Sequence, residues 1–213
     1  MRIGTIYDSL NEAFSQLKDA VHGSSAFIRI PRKANGDYRI CEQEYKWLFI
    51  QSFIGNKDNT TLSFSLEDPT INGYVFSTKS TNKNAFTFCE HSKKSDKQYR
   101  SANIDLSLYE SDSRIAIMEF KAGNPGSFYH AKDFFKLANE PGNILRYFVE
   151  IYERTDAKTI ESIKIKLFNN KYFNLNNNTQ YIGYSLCHNE NPNGARFSCD
   201  SNNQDIIIHI FTD

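Results

Sequence analysis

The chain has 213 residues, of which 39% are hydrophobic, and it contains 17 Phe and 12 Tyr. This content suffices for the core of one large domain, so it excludes a wholly disordered chain. Lysine and arginine together number 25, as do aspartate and glutamate, so the formal net charge is zero. Neutrality excludes a histone-like binder that holds nucleic acid by its global charge. Any such attraction must come from a local basic surface.

The cysteines are widely spaced, without a Cys-x-x-Cys pair, and no secretory signal precedes them. This pattern predicts free thiols in a reducing compartment, the cytoplasm. The spacing of Cys187, His188, Cys199 and His209 matches no standard zinc module, so a zinc site is not expected. No apolar run approaches the roughly 18 residues that a membrane span requires, so no membrane association is expected.

Hydrophobic periodicity predicts helices at the start of the chain and strands after them. In the second helix, Gly55 marks the end of the apolar pattern. Two alternating segments flank Pro69 and the Asn72-Gly73 pair, which predicts a β-hairpin. The predicted elements of this half are helices over 5–22 and 40–54, strands over 61–67, 74–79 and 85–91, and a basic loop over 92–100.

The second half of the chain alternates between strands and helices. A hairpin over 103–123, turning at 110–113, is followed by a helix over 128–140. The remaining predictions are a strand over 145–153, a helix over 156–170, strands over 181–188 and 205–211, and long Asn-rich polar loops before and between those last strands. This order favours a single α/β domain over 1–213, with a mixed β-sheet flanked by α-helices.

An acid-x-Lys pattern occurs three times, and only its context separates the three. The segment 44–46 lies inside a helical pattern, and 156–158 lies at a helix start, where an acid is favourable in any protein. Both are expected to be incidental. Glu119-Phe120-Lys121 instead ends a strand, so Glu119 and Lys121 share one face of the sheet.

The preceding strand of the hairpin places Asp105 where it can lie beside Glu119. Two adjacent carboxylates repel each other, and a divalent cation relieves this repulsion. Carboxylate oxygens and waters are the ligands that Mg²⁺ prefers, and a lysine on the same face can orient water or stabilise a phosphate. Spacing alone leaves open an ordinary exposed acid–lysine pair at a strand end.

The segment 101–124, with Asp105, a hairpin and a hydrophobic strand ending in Glu119-x-Lys121, resembles the PD-(D/E)XK nuclease superfamily. The resemblance covers about 40–153 and lacks the proline that classically precedes the aspartate. It implies a restriction-endonuclease-like fold, with the N-terminal helix and the C-terminal strands as additions to this core. It also implies a Mg²⁺ site, in which Mn²⁺ substitutes, formed by Asp105, Glu119 and a helix glutamate. Glu42 is preferred to Glu44 for that role.

By this resemblance, the chain hydrolyses phosphodiester bonds, with Lys121 acting on the attacking water or on the developing charge. DNA is the expected substrate, RNA is not excluded, and a homodimer is possible. The alternatives are a non-catalytic member that binds nucleic acid or protein, and an interaction protein whose interface includes Tyr181 and Tyr184. The candidate phosphate contacts lie on the basic loop and on one face of the next helix: Lys93, Lys94, Lys97, Arg100, Lys132 and Lys136.

Overall fold

The computed structural model describes residues 3–23, 28–56, 61–77, 85–90, 99–169, 172–173, 179–200 and 205–211. Within these residues the chain forms four α-helices and eight β-strands. The helices are α1 (Ile3–Val21), α2 (Glu42–Gly55), α3 (Ser127–Asn139) and α4 (Ala157–Phe168). The strands are β1 (Leu62–Ser77), β2 (Ala85–Cys89), β3 (Arg100–Glu110), β4 (Ser113–Ala122), β5 (Leu145–Thr155), β6 (Thr179–His188), β7 (Ala195–Asp200) and β8 (Ile207–Ile210).

All eight strands belong to one mixed sheet, in the order β2-β1-β3-β4-β5-β6-β7-β8. The central strands β4, β5 and β6 are parallel, and every other neighbouring pair is antiparallel. A parallel pair needs a crossover connection, and α3 and α4 supply the two that this sheet requires. The α/β class and the mixed sheet flanked by helices are therefore as predicted.

Helices cover both faces of the sheet. On one face, α1 and α2 pack over a core that includes Phe14, Phe49 and Phe120. On the other face, α3 and α4 pack over a core that includes Phe134 and Ile163. Because side chains alternate along a strand, β4 contributes to both cores. The α1 helix and β6 share a core with the central strands, so they are integral to the same folded unit.

The predicted hairpin over 61–79 is wrong, because β1 runs through Pro69 and Asn72 as one strand with an irregularity in its register. A side chain distant in sequence, Glu140, binds the backbone of this irregular segment of β1. The Glu140 carboxylate accepts hydrogen bonds from the backbone N–H groups of Ile71 and Asn72, at 2.9 and 3.3 Å. These groups would otherwise be left unpaired by the irregularity, so the strand continues instead of turning back.

Strand β7 was not predicted, because its short sequence lies in the Asn-rich region assigned to loops. It forms by pairing with β6, and its Phe197 ring is fully buried against Gly183. Tyr181 and Tyr184 are also fully buried, so the hypothesis that they form a protein interface is wrong. Their hydroxyl groups are hydrogen-bonded inside the molecule, to Glu150 and Asn11 respectively.

The four cysteines form no disulfide bond, and Cys199 is the most buried of them. Cys41 immediately precedes α2, and its thiol contacts the Glu44 carboxylate. Among the residues that the structure describes, no helix combines the length and the apolar character needed to cross a lipid bilayer.

Candidate functional site

The candidate site lies where β3 and β4 stop pairing. Their antiparallel ladder ends at Leu106 opposite Met118. One residue beyond it, the Asp105 carboxylate accepts a hydrogen bond of 2.7 Å from the backbone N–H of Phe120. This side-chain contact takes the place of a ladder hydrogen bond where the pairing of β3 with β4 ends.

A cleft of about 560 Å³ occupies this position, between the strand ends and α3. Asp105 of β3 and Glu119 and Lys121 of β4 line it from the sheet. Asp133 and Lys136 line it from α3, where their spacing of three residues places them on one face of the helix. The cleft therefore holds charged groups from three elements against an apolar sheet.

Lysines from α3 and β4 neutralise the carboxylates in the floor of the cleft. Lys136 Nζ lies 2.6 Å from Glu119 Oε1 and 2.9 Å from Asp133 Oδ1. Lys121 Nζ lies 2.9 Å from Asp133 Oδ2 and donates to the Phe120 carbonyl at 2.9 Å. Glu119 is only 1% exposed and Lys136 only 4% exposed, so these contacts are shielded from water.

The α2 helix, which packs on the opposite face of the sheet from α3, also contributes side chains to this cluster. Lys46 Nζ lies 3.0 Å from Glu67 Oε1 and 3.8 Å from Asp105 Oδ1. Glu42 Oε2 lies 3.7 Å from Lys121 Nζ. The carboxylate–lysine cluster thus consists of five acids and three lysines: Glu42, Lys46, Glu67, Asp105, Glu119, Lys121, Asp133 and Lys136.

Burial and charge shift the pKa values of this cluster in opposite directions. Burial, reinforced by the charge of Asp133, raises the pKa of Glu119 well above its usual value. Burial alone would lower the pKa of Lys121 and of Lys136, but the neighbouring carboxylates outweigh it and raise both. Burial would also raise the pKa of Asp133, yet the two lysines beside it lower it. Both lysines therefore remain cationic, and Asp133 is their anionic partner.

The structure brings Asp105, Glu119, Lys121 and Glu42 into one cluster. Glu42 starts α2 and faces Lys121, whereas Glu44 turns back to accept a hydrogen bond of 3.0 Å from the Cys41 backbone N–H. This contact belongs to a capping box, in which an acid at the third helical position satisfies an N–H group at the helix start. The two glutamates therefore have different environments, as their separation around the helix predicts.

Sequence reasoning missed three members of the cluster. Lys46 belongs to an acid-x-Lys segment expected to be incidental, yet the residue is 4% exposed and ion-paired with Glu67. Lys46 follows the core residue Tyr45 directly, and this position in the helical pattern did not indicate that the lysine would be buried. Glu67 adopts a left-handed φ of 49°, which the sequence does not reveal. Asp133 had a usable signal in its spacing of three from Lys136 on a predicted helix.

The candidate phosphate contacts have separate outcomes. Lys136 lines the cleft, but it is buried and held by two carboxylates, so its role as a phosphate contact stays a prediction. Lys132 is partly exposed and Arg100 is exposed, and both line the cleft. The other three lie outside the described residues: Lys93, Lys94 and Lys97.

The cluster supplies carboxylate oxygens, the donor type that a hard divalent cation prefers, and its acids outnumber its lysines by two. In the arrangement seen here, the lysines provide the counter-charge. Among the described residues, no three Asp, Glu, His or Cys side chains are grouped closely enough to hold a metal ion. One Glu119 oxygen, Oε1, is already in contact with the ammonium group of Lys136.

No family model matches this chain, and comparisons with curated proteins and with solved structures found no match. Any function proposed for this chain is therefore argued from the geometry of its own side chains.

Proposed function

We propose that the chain is a metal-dependent nuclease with a restriction-endonuclease-like fold that hydrolyses phosphodiester bonds, with DNA as its substrate. The observation that carries this proposal is the convergence of Asp105, Glu119 and Lys121 where two strands part, beside a cleft. Glu42 adds a carboxylate from α2, 3.7 Å from the lysine. A strand end with two acids and one lysine on a polar cleft suits a reaction in which negative charge grows on a phosphate.

Asp105 and Glu119 would hold Mg²⁺, or Mn²⁺ in its place, with Glu42 as an outer ligand. When bound, such an ion polarises the phosphodiester and lowers the pKa of a bound water. The Asp105 carboxylate is oriented by the Phe120 backbone, so its position is fixed before any ligand arrives.

Lys121 is the group best placed to act in the transition state. Its ammonium is held by Asp133 and by the Phe120 carbonyl, both at 2.9 Å, so its position is preorganised. Its pKa is raised by the surrounding carboxylates after the opposing effect of burial, so it donates as a cation and does not serve as a base. It would stabilise the developing charge or orient the attacking water.

A second candidate function is a non-catalytic member of the same fold. The contact of Lys136 with Glu119 at 2.6 Å favours this alternative, because it neutralises one of the two central carboxylates without any metal. Such a protein would bind nucleic acid or a protein partner and would have no need of a divalent cation.

The decisive experiment measures nicking of plasmid and linear duplex DNA with Mg²⁺ or Mn²⁺, for wild type and for Lys121→Ala, with single-stranded DNA and RNA alongside. We expect the variant to keep its fold and most of its DNA affinity, while its rate constant for cleavage falls on the order of a hundredfold to a thousandfold. A variant that cleaves at the wild-type rate would remove Lys121 from the reaction.

Calorimetry with Mn²⁺ separates the two candidate functions. The nuclease requires binding in wild type that is lost in Asp105→Ala. A wild type that binds no Mn²⁺ and cleaves no substrate would favour the non-catalytic alternative.

A further inference from the structure

The α3 helix presents one continuous face to the cleft. Tyr129, Lys132, Asp133 and Lys136 all line the cleft, and their spacing of three and four residues places them on one side of the helix. The other side packs into the core, where Phe134 and Leu137 are fully buried. Exposure falls steadily along the lining face, from 57% at Tyr129 to 4% at Asp133 and Lys136. Tyr129 therefore stands at the mouth, and the charged cluster forms the floor.

Aromatic and cationic side chains line the cleft together with Tyr129. The Phe76 ring is packed parallel to Tyr74 and edge-on to Phe86, so its orientation is fixed. Lys132 Nζ lies 5.1 Å from the centre of the Phe76 ring, within the range of a cation–π contact. Arg100, which is exposed, lines the cleft from β3. The proposed reaction uses none of these residues.

We propose that the cleft mouth is a subsite for an unpaired nucleobase, in which a base stacks on Tyr129 while Lys132 and Arg100 contact the adjoining phosphates. This inference rests on the proposed function, because it places a phosphodiester at the floor of the same cleft. An exposed aromatic ring beside two cations is the combination that binds single strands, since every base has a face that can stack. The favoured substrate is therefore a nucleic acid strand with unpaired nucleotides near the reacting phosphate.

The geometry also explains why a paired base is a poorer ligand. A base in a duplex is already stacked on its neighbours, so it can contact Tyr129 only after unstacking, which costs free energy. The tyrosine lies about four residues, or about 6 Å of helix axis, from Asp133 in the floor. A strand end or an unpaired segment can place one base at the mouth and the adjoining phosphate deeper without that cost.

The test is fluorescence anisotropy with a labelled thymidine oligonucleotide and a duplex of equal length. It uses wild-type protein in EDTA, and then the Lys121→Ala protein in Mg²⁺. We expect single strands to bind more tightly than duplexes. Tyr129→Ala and Tyr129→Leu should weaken single-strand binding by about tenfold to a hundredfold, whereas Tyr129→Phe should retain it, because only the aromatic face is needed. Lys132→Gln and Arg100→Gln should each lower the salt dependence of binding.

Ile165→Ala is the matched control, because Ile165 is a half-exposed apolar residue on α4 outside the cleft. It should bind like wild type. Tighter binding of the duplex, wild-type affinity in Tyr129→Leu, or no binding of any oligonucleotide would overturn the subsite. Its failure is distinct from failure of the nuclease proposal. A protein that cleaves duplex DNA independently of Tyr129 loses only the subsite, and one that binds single strands through Tyr129 but never cleaves loses only the nuclease.

Discussion

At the scale of single residues, each lysine of the cluster has a different set of partners. Lys121 contacts Asp133 and Glu42, Lys136 bridges Glu119 and Asp133, and Lys46 joins Glu67 to Asp105. A buried charge is tolerated only when it is paired, so removing Lys136 would leave Glu119 without its lysine. Removing Lys121 would leave Asp133 paired with Lys136, and only the partly exposed Glu42 would lose its lysine. The three lysines are therefore expected to contribute unequally to stability.

Lys46 is the residue whose importance the acid-x-Lys pattern concealed. We expect Lys46→Ala to lower the free energy of unfolding by about 1–3 kcal/mol, because it leaves Asp105 without its nearest ammonium group on α2. Urea denaturation measures this change. Lys158→Ala, in the exposed segment at the start of α4, should match wild type. Equal stability of the two variants would show that the contacts of Lys46 contribute nothing.

The two glutamates at the start of α2 should respond oppositely to the same substitution. Glu42→Gln removes charge beside Lys121 and should slow cleavage, with little effect on folding. Glu44→Gln weakens the charged contact with the Cys41 backbone and should cost a few tenths of a kcal/mol to about 1 kcal/mol of stability, with cleavage retained. Nicking rates and thermal melts of both variants separate the two effects. A larger loss of cleavage in Glu44→Gln would reverse the assignment.

At the scale of elements, β6 and β7 approach each other so closely that a side chain at Gly183 would collide with the neighbouring strand. A Cβ atom at Gly183 in β6 would lie 2.3 Å from Cε2 of Phe197 in β7. The Phe197 ring is fully buried and packs against Tyr152 and Tyr181, so it has little room to move. The glycine is thus required for β7 to pair with β6 and extend the sheet.

Gly183→Ala is accordingly expected to destabilise the protein by about 1–3 kcal/mol, the usual range for an overpacked core. Gly55→Ala is the matched control, because Gly55 ends α2 and a Cβ atom there would meet nothing within 4 Å. It should leave stability unchanged or slightly raised, since alanine favours a helix. Thermal melts of both proteins check this, and equal melting temperatures would mean that β7 yields to the added methyl group.

At the scale of the whole molecule, the neutral chain concentrates charge locally. Carboxylates and lysines gather where the central strands part, and helices cover the sheet on both sides of this point. The floor of the cleft is richer in acids than in lysines, so it does not by itself attract DNA. Under the nuclease proposal, the attraction for DNA would come from basic residues outside this floor. Arg100 lines the cleft, and Lys93, Lys94 and Lys97 are further candidates by their sequence.

Charge reversal of Lys93, Lys94 and Lys97 to glutamate should therefore weaken DNA binding and make it less dependent on salt. Loss of three phosphate contacts would reduce the slope of log affinity against log salt by about 2–3. Anisotropy titrations from low to moderate salt measure the slope. Reversal of Lys158 and Lys164 on α4 is the control and should change little. An unchanged slope in the triple variant would place the DNA elsewhere.

Most of the secondary structure could be predicted from the sequence, because alternation and helical spacing report which side of a segment is buried. The strands β3 and β4 illustrate this. Their alternating apolar residues correctly predicted that they pair and that Glu119 and Lys121 lie on the same face. The same reasoning failed for β1 and β7. Their pairing depends on Glu140 and on Gly183, and neither lies in the segment that had to be assigned.

The sequence by itself determined the α/β class, the position of Asp105 and Glu119 in one hairpin, and the separation of Glu42 from Glu44 around α2. Only the tertiary structure decided that Lys46 and Glu67 join Asp105, and that Lys136 is buried against Glu119 instead of facing solvent. The physical reason is that periodicity describes one element at a time. Whether charges on different elements meet depends on where β3 and β4 stop pairing and on how the helices pack on the sheet. The crossover between β4 and β5 carries α3, which brings Asp133 and Lys136 to Glu119 and Lys121.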